Sequence, residues 1–187
     1  MYAALAAKPI PELASDEAAL KIGGRLFAIN CSQCHGSDGR GGSGFPDLTD
    51  GNWQWGSEPE TIKASILNGR NAAMPAFAPA IGGEEGIPAI VAYIRHLGGF
   101  ATDPELRALG QQKYMSVCIA CHGPEGKGMQ ALGAPDLTDE SWLYGASEEA
   151  IAEGLRKGRY GVMPAHAEIL GEEKVHLLAA YVYGLSH

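Results

Sequence analysis

The sequence is short of charge, of aromatic residues, of long apolar runs and of cysteine, and each shortage excludes something. Charged residues make up 19% of the 187 positions and aromatics 7%. Basic residues are outnumbered, 14 Lys and Arg against 22 Asp and Glu, which leaves a net charge of −8. A protein that clamps a phosphate backbone needs a basic footprint, so this balance argues against nucleic acid as a partner. It argues, less strongly, against an anionic membrane surface. An acidic domain suits a partner with basic patches, whose attraction mainly sets the rate of encounter. No apolar run reaches the roughly 18–20 residues that cross a bilayer. The stretch Met1–Lys8 has neither the basic region nor the apolar length of a signal peptide. Disorder is excluded too, because hydrophobic residues reach 45%. The residue in excess is glycine, 26 of 187, about twice its usual ~7%. Compact, loop-rich units are expected rather than long helical bundles.

The few cysteines carry the chemistry. There are four, at 31, 34, 118 and 121. Four cysteines could make two disulfides or one zinc site. Their context decides otherwise, because a histidine follows each pair at once: Cys31-Ser32-Gln33-Cys34-His35 and Cys118-Ile119-Ala120-Cys121-His122. The pattern C-x-x-C-H marks covalent attachment of a c-type haem. Two thiols on one helical turn reach the two vinyl groups on one porphyrin edge, and the adjacent imidazole meets the iron. A redox dithiol of the thioredoxin kind would need a βαβ pattern nearby, and none is visible. Two haem c groups are expected, held by Cys31, Cys34, Cys118 and Cys121. Covalent haem is assembled outside the cytoplasm, so the expected location is the periplasm.

The chain repeats itself. Aligning the cysteine motifs at an offset of 87 places Gly23 on Gly110 and Phe27 on Tyr114. Past a two-residue insertion the offset is 89, and Pro46–Asp50 falls on Pro135–Asp139, Trp53 on Trp142, Trp55 on Tyr144, Gly69-Arg70 on Gly158-Arg159 and Met74-Pro75 on Met163-Pro164. At an offset of 88, Ala92-Tyr93-Ile94 falls on Ala180-Tyr181-Val182. The reading is an N-terminal linker, 1–17, then two cytochrome c domains, 18–100 and 101–187, each of class I type. The fold class is all-α, a few short helices wrapped around each haem. Capping signals start the helices at Ser15-Asp16-Glu17, Ser57-Glu58-Pro59-Glu60, Thr102-Asp103-Pro104-Glu105 and Ser147. At roughly 85 residues a unit is small for an apolar core of its own, and the porphyrin serves as much of it.

An iron held by histidine takes a methionine, a second histidine, a cysteine or an open position opposite. No cysteine is left. Of the methionines at 1, 74, 115, 129 and 163, only Met74 and Met163 are equivalent in the two copies. They follow His35 and His122 by 39 and 41 residues, far enough for the chain to reach the other haem face. Each precedes a proline, which holds its backbone extended. His35, Met74, His122 and Met163 are therefore the expected axial ligands. Met115, Met129, His96, His166, His176 and His187 have no comparable context. Gly23, Gly110, Phe27 and Tyr114 are expected to pack against Tyr93 and Tyr181. The Pro46 and Pro135 carbonyls are candidates to accept the Nδ1–H of the haem histidines. Trp53, Trp142, Arg70 and Arg159 are candidates to donate to haem propionates.

At this level of detail the chain resembles a known family, the dihaem cytochrome c subunit (subunit III, CcoP-type) of cbb-type haem–copper cytochrome c oxidases. The resemblance rests on Tyr2-Ala3-Ala4-Leu5-Ala6, Arg25-Leu26-Phe27, Gly44–Asp50, Trp53–Gly56, Ile66–Arg70 and Met74-Pro75. In the second copy it rests on Gly133–Asp139, Trp142–Gly145 and the tail Val175–Ser186. It implies an electron-transfer module, not an enzyme on its own, that relays electrons from a donor cytochrome c to other oxidase subunits. It implies a parent anchored in the inner membrane by a segment absent from this chain. A free soluble dihaem shuttle and a dihaem dehydrogenase or peroxidase are the alternatives.

Overall fold

The computed structural model describes residues 2–187, so Met1 lies outside the described residues. In chain order the helices are α1 (Tyr2–Ala6), α2 (Ile10–Leu13), α3 (Glu17–Asn30), α4 (Ser32–His35), α5 (Pro59–Asn68), α6 (Ile87–Leu97), α7 (Pro104–Val117), α8 (Ile119–His122), α9 (Glu148–Lys157), α10 (Ala167–Leu170) and α11 (Glu172–Ser186). Two short strands, β1 (Arg70–Met74) and β2 (Arg159–Met163), pair with each other. The protein is thus mostly helical, and the sequence repeat is visible as α3–α4–α5–β1–α6 followed by α7–α8–α9–β2–α11. The strands were not expected. Each is five residues long, and Arg-Asn-Ala-Ala-Met in β1 has no β-branched residue to signal it.

Helix starts follow local chemistry. Asp16 Oδ1 accepts from the Ala18 and Ala19 amides at 3.0 and 3.1 Å, and Asp103 Oδ1 from Glu105 and Leu106 at 2.9 Å each. Ser147 Oγ accepts from the Ala150 amide at 3.1 Å. Each bond satisfies a donor that the first turn of a helix leaves open. The expected cap at Ser57 is not made: Glu58 occupies the cap position of α5 without a side-chain bond, and Pro59 opens the helix.

The compact units do not follow the repeats. One consists of the residues up to Asn71 together with Val162–His187, and the other of Ala72–Gly161. The boundaries expected at 100 and 101 therefore fall inside the second unit. The reason is the short connection from Leu97 to Pro104, which folds α6 and α7 into a helical hairpin. The last helix of the first repeat is thereby used on the first helix of the second. In the other unit α11 packs on α3.

Both crossings have the same construction. A Cβ on Gly23 would lie 2.5 Å from Tyr181 Cβ and 2.8 Å from the Leu177 carbonyl oxygen. One on Gly110 would run into the Ala89 carbonyl and lie 2.9 Å from Tyr93 Cβ. Beside each glycine an aromatic pair seals the contact: Phe27 with Tyr181 at 5.4 Å between centroids, and Tyr114 with Tyr93 at 5.0 Å. Such tilted pairs contribute about 0.5–1.5 kcal/mol beyond the area they bury. The expected partners do meet, but each first-helix residue meets the tyrosine of the other repeat.

The segment assigned as a linker is folded. Ile10 and Leu13 of α2 are 1% and 0% exposed and belong to the core of the first unit, with Leu177, Leu178 and Val175. His176 is tied to the same segment, its Nε2 2.8 Å from the Lys8 carbonyl oxygen.

Each glycine-rich loop ends in a tight turn built by an aspartate. Asp47 Oδ1 accepts from Thr49 N and Oγ1, both at 2.7 Å; Asp136 Oδ1 accepts from Thr138 N at 2.7 Å and Oγ1 at 2.6 Å. This is the local turn that a short acidic side chain makes with its own backbone two residues on. Burial alone would raise both carboxyl pKa values, but the threonine bonds outweigh it and hold them below the ordinary carboxylate value, with Lys127 assisting at Asp136.

Two outcomes follow. Gly110→Ala should cost about 1–3 kcal/mol in denaturant unfolding, the range for forcing a methyl into a packed contact. Gly51→Ala, which meets no atom within 4 Å, should stay within about 0.5 kcal/mol. A carboxyl with a lowered folded-state pKa stabilises the fold above its unfolded pKa of about 3.9 and loses that contribution as pH falls through the lower folded value. Asp136→Asn should therefore flatten the fall in thermal midpoint between pH 5 and pH 3, relative to the parent.

Candidate functional site

Each cysteine motif is one helical turn joined directly to a long helix. Cys31 and Cys118 end α3 and α7, and their carbonyls accept from the His35 and His122 amides at 2.9 and 3.0 Å. Cys34 and Cys121 are exposed, while Cys31 and Cys118 are half-buried. Burial, with the neighbouring Cys34 or Cys121 adding to it, pushes the thiols of Cys31 and Cys118 up to about 11. A redox-active Cys-x-x-Cys does the reverse and lowers a thiol pKa. The two pairs lie in different units. No group of three metal-ligating His, Cys, Asp or Glu side chains gathers among the described residues.

The loop after each motif turns back onto the histidine. Gly41 N donates to the His35 carbonyl at 2.8 Å, and Gly128 N to that of His122 at 2.9 Å. A hairpin-like contact follows, Gly42 with Phe45 and Met129 with Ala134. This folding brings the Pro46 carbonyl oxygen to 3.0 Å from His35 Nδ1 and that of Pro135 to 3.1 Å from His122 Nδ1. Both are the bonds expected from the sequence. Glycine is required at the turn: Gly41 and Gly128 have φ of +67° and +74°. A Cβ there would lie 2.5 Å from the Pro46 carbonyl oxygen and 2.6 Å from that of Pro135.

The carbonyl accepts only if Nδ1 carries the proton. That fixes the tautomer and leaves Nε2 with its lone pair free for a metal. Burial lowers the pKa of His122, against the opposing pull of the Pro135 bond, so the imidazole is kept in the neutral form that can ligate.

The methionines exchange units relative to the sequence repeats. Met163 lies in the unit of Cys31, Cys34 and His35, and packs on the same core as Cys31. Met74 lies in the unit of Cys118, Cys121 and His122, and packs on the same core as Cys118 and Ile119. His35 thus shares its compact unit with Met163, and His122 shares its unit with Met74. β1 and β2 carry both methionines across the unit boundaries, so each compact unit holds the histidine of one repeat and the methionine of the other.

The remaining candidates divide. Met115 and Met129 are exposed. Trp142 Nε1 donates to the Asp139 carbonyl at 3.0 Å, so this donor is committed to the protein. Arg70 donates from Nε to Ser65 Oγ at 2.9 Å and lies over the Trp55 ring at 4.8 Å. Arg159 donates to the Ala150 carbonyl and lies 4.5 Å over the Tyr144 ring. Both arginines thus clamp the end of a short helix onto an aromatic residue. Two contributors were missed. Tyr114 donates its hydroxyl to the Gly123 carbonyl at 2.7 Å, which pins the loop start in the second unit; Phe27 has no counterpart. The Asp–Thr turns were also missed, although Pro-Asp-Leu-Thr-Asp stands in both copies.

The residues present suit a c-type haem in each unit: two thiols on one turn, a histidine with Nδ1 engaged, and a methionine on the same core. Comparison with known proteins agrees with this chemistry. The family described as cytochrome c oxidase, cbb3-type, subunit III matches residues 18–94 and again 105–182. The chain is 44% identical over 186 residues to the cbb3-type cytochrome c oxidase subunit CcoP of Rubrivivax gelatinosus, covering 100% of this chain and 61% of that protein. It is 37% identical over 176 residues to the subunit FixP of Sinorhizobium medicae, covering 89% and 61%. It is 36% identical over 177 residues to the subunit CcoP of Cereibacter sphaeroides, again covering 89% and 61%. The chain spans about 61% of the length of these relatives. Two matches of one family in tandem account for the sequence repeat, and the chain belongs to the subunit III family of cbb3-type cytochrome c oxidases.

Proposed function

We propose that the protein is a dihaem electron-transfer subunit that transforms no substrate of its own. The observation that carries this reading is the duplicated site: a Cys-x-x-Cys-His turn with its imidazole held by a proline carbonyl, and a methionine on the same core. Cys31, Cys34, His35 and Met163 would hold one haem c. Cys118 and Cys121 would hold the other, with His122 and Met74. When bound, each haem supplies a one-electron iron couple.

The protein's part is to hold that couple still. The imidazoles are fixed at two points, by the helical turn and by the carbonyl of Pro46 or Pro135. The methionines sit on paired strands rather than on a free loop. A thioether opposite an imidazole raises the reduction potential, relative to two imidazoles. With a protein ligand available to each iron, no position is reserved for a substrate, which speaks against a peroxidase or dehydrogenase.

The relatives are named as oxidase subunits. By that likeness the chain passes electrons from a donor cytochrome c to other oxidase subunits, on the periplasmic side of an inner membrane. No helix among the described residues is long and apolar enough to cross a membrane.

Intact mass should show two haems bound. Cys31→Ala with Cys34→Ala should leave one, and Cys118→Ala with Cys121→Ala should leave the other. These backgrounds test the crossed ligands. With only the Cys118–Cys121 haem present, Met74→Ala should abolish the methionine-to-ferric-iron charge-transfer band and lower the potential, while Met163→Ala should change neither. The opposite result would assign each methionine to the histidine before it.

A further inference from the structure

In the second unit, residues of α6 and α7 line a cavity of about 320 Å³: Tyr93, His96, Leu97, Arg107 and Gln111. That volume lies in the range of small-molecule pockets. Arg107 is half-buried and Tyr93 is 6% exposed, while His96 and Gln111 stand at the rim. None of the four polar side chains is engaged in a hydrogen bond or ion pair among the described residues. No acidic side chain lines the cavity, although Asp103 caps α7 and Glu105 stands in its first turn. In a chain of net charge −8, a cavity lined by an unpaired arginine with three further hydrogen-bonding groups is unusual.

The other repeat supplies the control. Tyr93 and Leu97 correspond to Tyr181 and Leu185, but Arg107, Gln111 and His96 correspond to Leu20, Gly24 and Gly184. In the first unit this place is closed. A Cβ on Gly184 would lie 3.7 Å from Ala14 Cβ and 3.8 Å from Leu20 Cδ2, and one on Gly24 would lie 3.2 Å from the Tyr181 ring. The polar lining is therefore no requirement of the helix crossing, which both units build. It belongs to the second unit alone.

We propose that this cavity is a binding site for a small oxyanion of the phosphate class, held by the Arg107 guanidinium and hydrogen-bonded by Gln111, His96 and the Tyr93 hydroxyl. A guanidinium presents paired N–H groups that match two oxygens of such an anion. The amide, imidazole and phenol can each donate to the others. Free phosphate and a phosphate carried by a lipid headgroup present the same chemistry to the site. The site is independent of the electron-transfer reading.

The test is calorimetric titration of the purified, haem-loaded protein with inorganic phosphate at low ionic strength. Saturable binding at one site is expected, weakened at least tenfold by Arg107→Gln and unchanged by Arg25→Gln, which removes an exposed cation of α3. Sedimentation with phosphatidylcholine vesicles containing phosphatidylglycerol then separates the sources. Sedimentation lost in Arg107→Gln assigns the headgroup, and its absence in the parent assigns the free anion. No saturable phosphate binding, or equal weakening by Arg25→Gln, would overturn the proposal.

Discussion

Everything in this protein depends on two helix crossings that admit no side chain at their centre. Gly23 against Leu177 and Tyr181, and Gly110 against Ala89 and Tyr93, let backbones meet where any larger residue would hold them apart. With the crossings closed, Phe27 and Tyr114 are 1% and 0% exposed, each of them an aromatic burial of about 1.5–3 kcal/mol. The cysteine turns grow directly out of α3 and α7, so the crossings set where the thiols and histidines stand. The glycine loops are then anchored at one end by those turns and at the other by the aspartate turns. The proline carbonyls reach the imidazoles only because both anchors hold.

The choice of partner at each crossing decides the rest. A connection of six residues between α6 and α7 favours adjacent, antiparallel helices. Once α6 is spent on α7, α3 has only α11 to close it. The strands before these helices must cross over with them, and they take Met74 and Met163 along. The exchange of methionines between units is thus a consequence of connection length, not of anything at the methionines themselves.

This explains which features could be read from the sequence. Motifs whose geometry is local were legible: the Cys-x-x-Cys-His turns, the caps at Asp16, Asp103 and Ser147, and the proline carbonyl eleven or thirteen residues past each histidine. The contact between Gly110 and a tyrosine of a last helix was legible as a pairing of types. Which tyrosine was not, because identical repeats give identical patterns and only tertiary closure distinguishes them. The strands escaped for a related reason: Arg70–Met74 has no intrinsic preference to be extended and pairs because its duplicate lies opposite. The N-terminal stretch was read as a linker because it lies outside both repeats, yet Ile10 and Leu13 are buried on α11.

The division of the chain bears on how it is made. All of the second unit lies in one continuous span, Ala72–Gly161, whereas the first unit needs Val162–His187 to be complete. During synthesis from the N-terminus, the first cysteine motif to emerge therefore belongs to the unit that finishes last. Its turn waits, without α11 behind it, until Val162–His187 has been made. The earliest site to be exposed is the latest to be enclosed, which leaves the longest time for a cofactor to be delivered to it.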